Sequence, residues 1–267
     1  ERNLIAVVFR GSTALNDWIT NVQFDATDFE LPSPTAKTHT NHGKVHEGFY
    51  AYLYHDTKPG KDGRTISKSE EIMGILHGLF KAHPKYTLCV TGHSLGAALS
   101  TLFAFRAAID LAIPNKPVIN VSFASPFVGN HKFQCEFQAL ERTGMIRHLR
   151  ISNEDDVVAL IPPATLDLVP TLYKHVRLHV RLYNKTPWRS FTNEISYPKV
   201  DGTLFDELGR AISNNIFLGL TFQVLPNHLC PEYRERLDNA KEDLQKRNLE
   251  SLYRDEYYVG SLFTNDA

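Results

Sequence analysis

Gly92-His93-Ser94-Leu95-Gly96 places a serine between two glycines where an apolar run, Thr87 to Thr91, gives way to an Ala- and Leu-rich stretch, Leu95 to Ala108. This is the G-x-S-x-G pattern. A tight strand-to-helix turn pushes the serine hydroxyl out of the sheet edge, and the flanking glycines let the backbones approach. The helix N-terminus behind it favours developing negative charge. The chemistry would be nucleophilic attack by Ser94. The alternative is that Ser94 only caps a helix, a common use of serine, and the pentapeptide alone does not choose.

A serine hydroxyl is a weak nucleophile at neutral pH. It needs a histidine to take its proton and a carboxylate to orient that histidine. Behind such an elbow the chain order is serine, acid, histidine. Of twelve histidines, only His175, His179 and His228 follow an acid placed after the strand-like run Ile146 to Ser152. His175 and His179 alternate with Val176, Leu178, Val180 and Leu182, which puts both on the polar face of a strand, in structural or surface roles. His228 instead sits in LPNHLCPEY, a loop bracketed by Pro226 and Pro231, and is the candidate base. The other nine, His46 and His93 among them, read as packing or surface residues. For the acid, Glu154, Asp155 and Asp156 follow Ser152 in one run, and chemistry alone leaves the three open.

The elements needed to hold these residues are legible. Strand-like runs at Leu4 to Phe9, Tyr86 to Thr91, Val118 to Ala124, Ile146 to Ser152 and His175 to Tyr183 have helical stretches between them, the pattern of an α/β domain with a mostly parallel sheet. Ser67 with Glu70 forms a capping box before the stripe Ile72, Ile75, Leu76, Leu79 and Phe80. Phe133, Phe137 and Leu140 repeat at helical spacing. The stretch Glu232 to Glu256 pairs Glu232 with Arg236, Asp243 with Arg247 and Glu250 with Arg254, as an exposed-faced helix would.

At 267 residues and 42% hydrophobic, with no linker-like stretch, the chain reads as a single domain over 1–267. Its 29 basic residues balance 30 acidic ones, which argues against nucleic acid or an anionic membrane surface as partner. No apolar run approaches the ~18 residues that span a bilayer. Cys89, Cys135 and Cys230 are too few and too irregular for a disulfide framework or zinc site. The chain enters an apolar strand by Leu4, so a further N-terminal segment is expected to precede it, and any targeting peptide with it; no compartment is read. The sequons at Asn120 and Asn184 carry little weight.

With these residues in place the sequence resembles the class 3, fungal-type lipase family of α/β-hydrolases. VVFRGS at Val7 to Ser12 is similar to the family's strand and oxyanion turn, and KVHEGFYAYLY at Lys44 to Tyr54 to its V-H-x-G-F segment. TGHSLGAALS is similar to its elbow, NEDDVVALIPP at Asn153 to Pro163 to its acid loop, and NHLCPEY to its histidine loop. The acid loop has the form N-x-x-D-x-V-x-x-x-P-P, which laid on this chain puts the aspartate at Asp156. Two positions depart: Phe127 stands where a basic residue is usual, and Ala159 where a proline is common. Residues 185–225 match nothing in the pattern.

The resemblance implies an α/β-hydrolase fold with helices on both faces of the sheet and a Ser94, His228, Asp156 triad. It implies an oxyanion hole from the amides of Leu95 and Ser12, with the Ser12 hydroxyl a further donor. Ser12 read without the other motifs is an ordinary turn residue. A lid is implied at about 13–23, where Leu15, Trp18, Ile19 and Val22 fall on one helical face and Asn16, Asp17, Thr20 and Asn21 on the other. Neither metal nor cofactor is called for. The expected reaction is hydrolysis of acylglycerols at a lipid–water interface. A phospholipase A1 or galactolipase acting on polar lipids is the second reading, and a catalytically silent lipase-like interaction scaffold the third.

Overall fold

The computed structural model describes residues 3–12, 25–32, 38–59, 65–154, 156–160, 173–176, 178–183, 193–196 and 225–247. Strand β1 (Leu4–Phe9) is followed by a hairpin, β2 (Ala26–Pro32) and β3 (His39–His46), then helix α1 (Glu47–Tyr54) and a short hairpin, β4 (Asp56–Pro59) and β5 (Thr65–Ser67). Ser67 caps α2 (Lys68–Ala82) through the expected box: its hydroxyl accepts from the Glu70 amide while the Glu70 carboxylate accepts from the Ser67 amide. Strand β6 (Thr87–His93) feeds α3 (Leu95–Ile109), β7 (Val118–Phe123) feeds α4 (His131–Arg142), and β8 (Ile146–Asn153) leads to a 3-10 turn at Val157–Leu160. Then come β9 (Leu178–Leu182), β10 (Asn193–Ser196), a 3-10 turn at Leu225–His228 and α5 (Cys230–Lys246).

The main sheet has the order β1-β6-β7-β8-β9-β10, with β10 antiparallel to β9 and the other pairs parallel. Phe9 pairs with Gly92, and His93, Phe123, Ile151 and Val180 lie level across the next strands. The turns leaving β1, β6, β7 and β8 therefore open at one carboxyl edge, where parallel sheets gather their ligand-handling loops.

Strand periodicity decides which helix covers which face. Val118 of β7 and Ile146 of β8 point into a core shared by α1, α2, α3 and α4, whereas Val121, Phe123, Leu149 and Ile151 point to the opposite core, which α5 completes with Tyr233 and Ala240. Helices thus cover both faces, as expected. Helix α3 is buried almost all round, which suits its run of Ala, Leu and Phe. Phe29 of β2 meets Phe105 and Phe133 edge-on, each with ring centroids 5.5 Å apart, and so fastens the first hairpin to α3 and α4.

Several expectations shift. The run from His175 to Tyr183 contains a strand only at Leu178–Leu182, because Lys174 instead bridges to Gly129 and His175 lies before the strand. The C-terminal helix ends at Lys246, and the Glu250 and Arg254 pair lies outside the described residues. Asp243 and Arg247 pair at 2.9 Å on the surface. Glu232 and Arg236 pair at 2.7 Å, but Arg236 is buried rather than exposed. Asn120 is fully buried and donates to the Val90 and Ser100 carbonyls, which removes it as a glycan acceptor. Cys89, Cys135 and Cys230 form no disulfide. No described helix is long and apolar enough to cross a membrane. The lid expected at about 13–23 lies outside the described residues.

Candidate active site

Ser94 stands between β6 and α3 at φ 59° and ψ −127°, and its side chain makes no capping hydrogen bond. The capping reading of this serine therefore fails. Its amide donates to the Phe123 carbonyl at 2.9 Å, tying the turn to β7. The two glycines are there for backbone approach: a Cβ on Gly92 would run into the Gly96 carbonyl, and one on Gly96 into the Phe9 carbonyl at the end of β1. The turn after β1 lies against the elbow, since a Cβ on Gly11 would be 2.8 Å from the His93 carbonyl and 3.5 Å from Ser94 Cβ. Ser12 follows directly. Leu95 is the first residue of α3, where an amide has no carbonyl one turn earlier to bond.

The structure brings Asp156 and His228 together. Asp156 follows β8, His228 ends the 3-10 turn before α5, and Nδ1 of the histidine lies 3.0 Å and 2.9 Å from the two carboxylate oxygens. Each oxygen has a second donor, the Val158 amide to Oδ1 at 2.9 Å and the Tyr233 hydroxyl to Oδ2 at 2.6 Å. Both partners are buried. His228 Nε2 and Ser94 Oγ are each buried with no hydrogen-bond partner among the described residues, so the serine and histidine are not bonded to one another. Asp155 lies outside the described residues.

Sequence reading missed the residues that hold this pair. His93, expected as packing, borders the site: its Nε2–H donates to the His228 carbonyl at 2.7 Å, and the two rings stand 4.6 Å apart. Burial first, and the neighbouring His228 second, hold the His93 ring below the ordinary histidine range, so it is neutral. Asn153 donates through Nδ2 to the Asn227 carbonyl at 2.7 Å, and Arg236 donates to Asn227 Oδ1 at 2.7 Å. The histidine loop is therefore clamped from β6, β8 and α5. The signals were present: the x of G-x-S-x-G, the leading Asn of the acid loop, and the Tyr after NHLCPE.

His175 and His179 serve structure, as expected. His179 bonds Ser152 Oγ at 2.7 Å. His175 donates from Nε2 to the Ala159 carbonyl at 2.8 Å and stacks on Phe127 with ring centroids 3.7 Å apart. The two departures from the family pattern, Phe127 and Ala159, thus meet at one imidazole. Burial, then Arg150, pushes that ring well below the usual histidine range. His46 caps α1, with Nδ1 accepting from the Gly48 amide at 3.1 Å, and stacks on Phe49. Among the described residues no cluster of three or more His, Cys, Asp or Glu is placed to hold a metal ion.

The lipase (class 3) family model matches residues 6–166. Phospholipase A1-II 6 of Oryza sativa subsp. japonica is 31% identical over 176 residues, 61% of this chain and 41% of that protein. A lipase of Rhizomucor miehei is 30% identical over 165 residues, 60% of this chain and 38% of that protein. The chain thus spans about two fifths of the length of these relatives. The crystal structure of Lip2 lipase from Yarrowia lipolytica superposes with a TM-score of 0.55 at 21% identity, covering 85% of this chain and 70% of that one, a likeness of fold.

Proposed function

We propose that this chain, which belongs to the class 3 lipase family, hydrolyses the carboxylic esters of lipids, with acylglycerols as substrate class. Ser94 Oγ attacks the ester carbonyl while His228 Nε2 takes its proton. Asp156 holds Nδ1–H and stabilises the imidazolium that forms. The amides of Leu95 and Ser12 receive the oxyanion. Collapse of the tetrahedral intermediate breaks the acyl C–O bond, His228 protonates the leaving alcohol, and water repeats the sequence on the acyl-enzyme. The observation that carries the reading is the buried Asp156–His228 pair, at 2.9 Å and 3.0 Å, on the loops beside an elbow that presents Ser94 at positive φ. A nucleophile and base not yet bonded to each other are compatible with it, since such contacts tighten when substrate binds. Leu15, Trp18, Ile19 and Val22 supply the lid that turns an apolar face to the lipid.

The phospholipase A1 reading has specific support in relatives whose names carry that activity, from Oryza sativa and Arabidopsis thaliana among them. Hydrolysis rates on emulsified triacylglycerol, dispersed diacylglycerol, phosphatidylcholine vesicles and galactolipid vesicles, with Ser94→Ala as blank, separate the readings. Faster release of fatty acid from the acylglycerols is expected. Preference for phosphatidylcholine or galactolipid would replace them with a polar-lipid substrate, and no hydrolysis of any ester would leave an interaction scaffold.

A further inference from the structure

Asp156 has a third partner beyond the histidine and its own turn, and that partner comes from the helix that follows His228. We propose that Tyr233 is a positioning residue of the reaction: its hydroxyl fixes the plane and tempers the charge of the Asp156 carboxylate, and through it sets how strongly His228 holds a proton. The inference rests on the triad proposed above.

The direction of the hydrogen bond follows from its surroundings. The Asn153 amide can only donate, and it reaches Tyr233 Oη at 3.0 Å. The phenol's one proton is then left for Asp156 Oδ2 at 2.6 Å, the short distance of a hydroxyl bonded to an ionised carboxylate. Burial, and after it the Asp156 charge, keeps the phenol protonated far above neutral pH, so the donor persists wherever the enzyme would work.

Geometry gives this donor its purpose. His228 Nδ1 is almost equidistant from the two carboxylate oxygens, so the imidazole alone does not fix which way the carboxylate faces. Val158 N on Oδ1 and Tyr233 Oη on Oδ2 anchor one oxygen each. The same α5 segment orders the base itself, since Arg236 lies one turn along and holds Asn227. Without the tyrosine hydroxyl, Oδ2 loses a charge-assisted bond, the carboxylate turns more freely, and its undivided charge binds the imidazolium more tightly. The histidine then keeps its proton to higher pH. Other ionisable groups bear on the pair from each packed element: His93 on β6, Arg150 on β8, Arg181 on β9 through the Glu154 carbonyl, and Glu232 and Arg236 on α5. Tyr233→Phe removes none of these groups and keeps the ring that meets His93 at 5.7 Å.

The test is the pH profile of kcat/KM for a soluble short-chain ester, measured on the full chain with Tyr233, with Tyr233→Phe, and with 3,5-difluorotyrosine placed at 233. Each protein is first titrated with a fluorophosphonate. Tyr233→Phe is expected to lower kcat about 10- to 100-fold at the optimum, the weight of one hydrogen bond to a charged group. Its acid limb should move up by about half a pH unit or more. The fluorinated phenol, nearly isosteric and a stronger donor, should move that limb to lower pH, and it carries the test where Tyr233→Phe does not fold. Limbs that stay in place in both proteins, whatever kcat does, would reduce Tyr233 to a packing residue and overturn the inference while Ser94 still labels. If Tyr233-containing protein does not label at Ser94, the triad itself has failed, and this inference with it.

Discussion

Ser94 is held at φ 59°, where a side chain costs on the order of 1–3 kcal/mol, and its hydroxyl makes no cap that would offset the strain. If Ser94 is the nucleophile, the tight elbow that its chemistry needs explains a serine kept there by close-packed glycines. On the proposed mechanism Asp156→Asn should lower kcat by about 10⁴-fold, because asparagine favours the wrong imidazole tautomer, while Asp155→Asn should be mild. Steady-state kinetics on both variants checks this, and the reverse ranking would reassign the acid. At this scale the sequence was most legible where one motif both names a residue and fixes its element. Ser94 and His228 followed from chain order and loop context, whereas Asp156 needed the ungapped acid loop to separate it from Glu154 and Asp155. His93, Asn153 and Tyr233 stand inside the motifs, but their roles were not legible, because their contacts join residues 74 to 135 positions apart. No local pattern records such a contact.

The elements place these residues through backbone contacts, and glycine substitutions report on them. Gly74 and Gly78 sit inside α2 with nothing within 4 Å of an added Cβ. Gly74→Ala and Gly78→Ala should each stabilise by about 0.5–1 kcal/mol, read as a raised urea midpoint. Gly96→Ala drives a Cβ into the Phe9 carbonyl and should cost more than about 3 kcal/mol, or prevent folding. Helices and parallel strands were readable because their apolar periods are long or their strands nearly continuous. The β2–β3 hairpin was missed for the opposite reason. Phe29 and Leu31 alternate with polar residues over only a few positions, and β3 is built from His, Thr, Asn and Lys with Val45 as its one large buried aliphatic. Its pairing is stabilised by Phe29 packing on α3 and α4, which only the tertiary structure supplies. The buried Arg236 was misread likewise: Glu232 at i−4 looks like a surface pair until Asn227 and Leu182 are seen to take its other donors.

Over the whole molecule, His93 and His175 are held neutral by burial, so the unfolded chain binds protons that the native protein does not. Stability is therefore full above the ordinary histidine range near pH 6.5 and falls as pH drops below it. His175→Gln, which keeps a donor for Ala159, should remove about 1 kcal/mol of the loss between pH 7.5 and 5.5 in urea titrations; an unchanged loss would show His175 protonating freely in the native state. Exposing Leu15, Trp18, Ile19 and Val22 to water costs roughly 1.5–3 kcal/mol for each large side chain fully uncovered, so a lipid surface should shift the open population. Activity on diacylglycerol should rise from monomers to emulsion, and Trp18→Ser should blunt that rise more than it affects a soluble ester. The activity tests presuppose an acylated serine, and the most direct measurement of that is fluorophosphonate labelling of the full chain followed by peptide mapping. One adduct is expected, on Ser94, lost in Ser94→Ala and strongly slowed in Asp156→Asn. An adduct on Ser100, Ser122 or Ser125, or no adduct on a folded chain, would contradict Ser94 as the nucleophile.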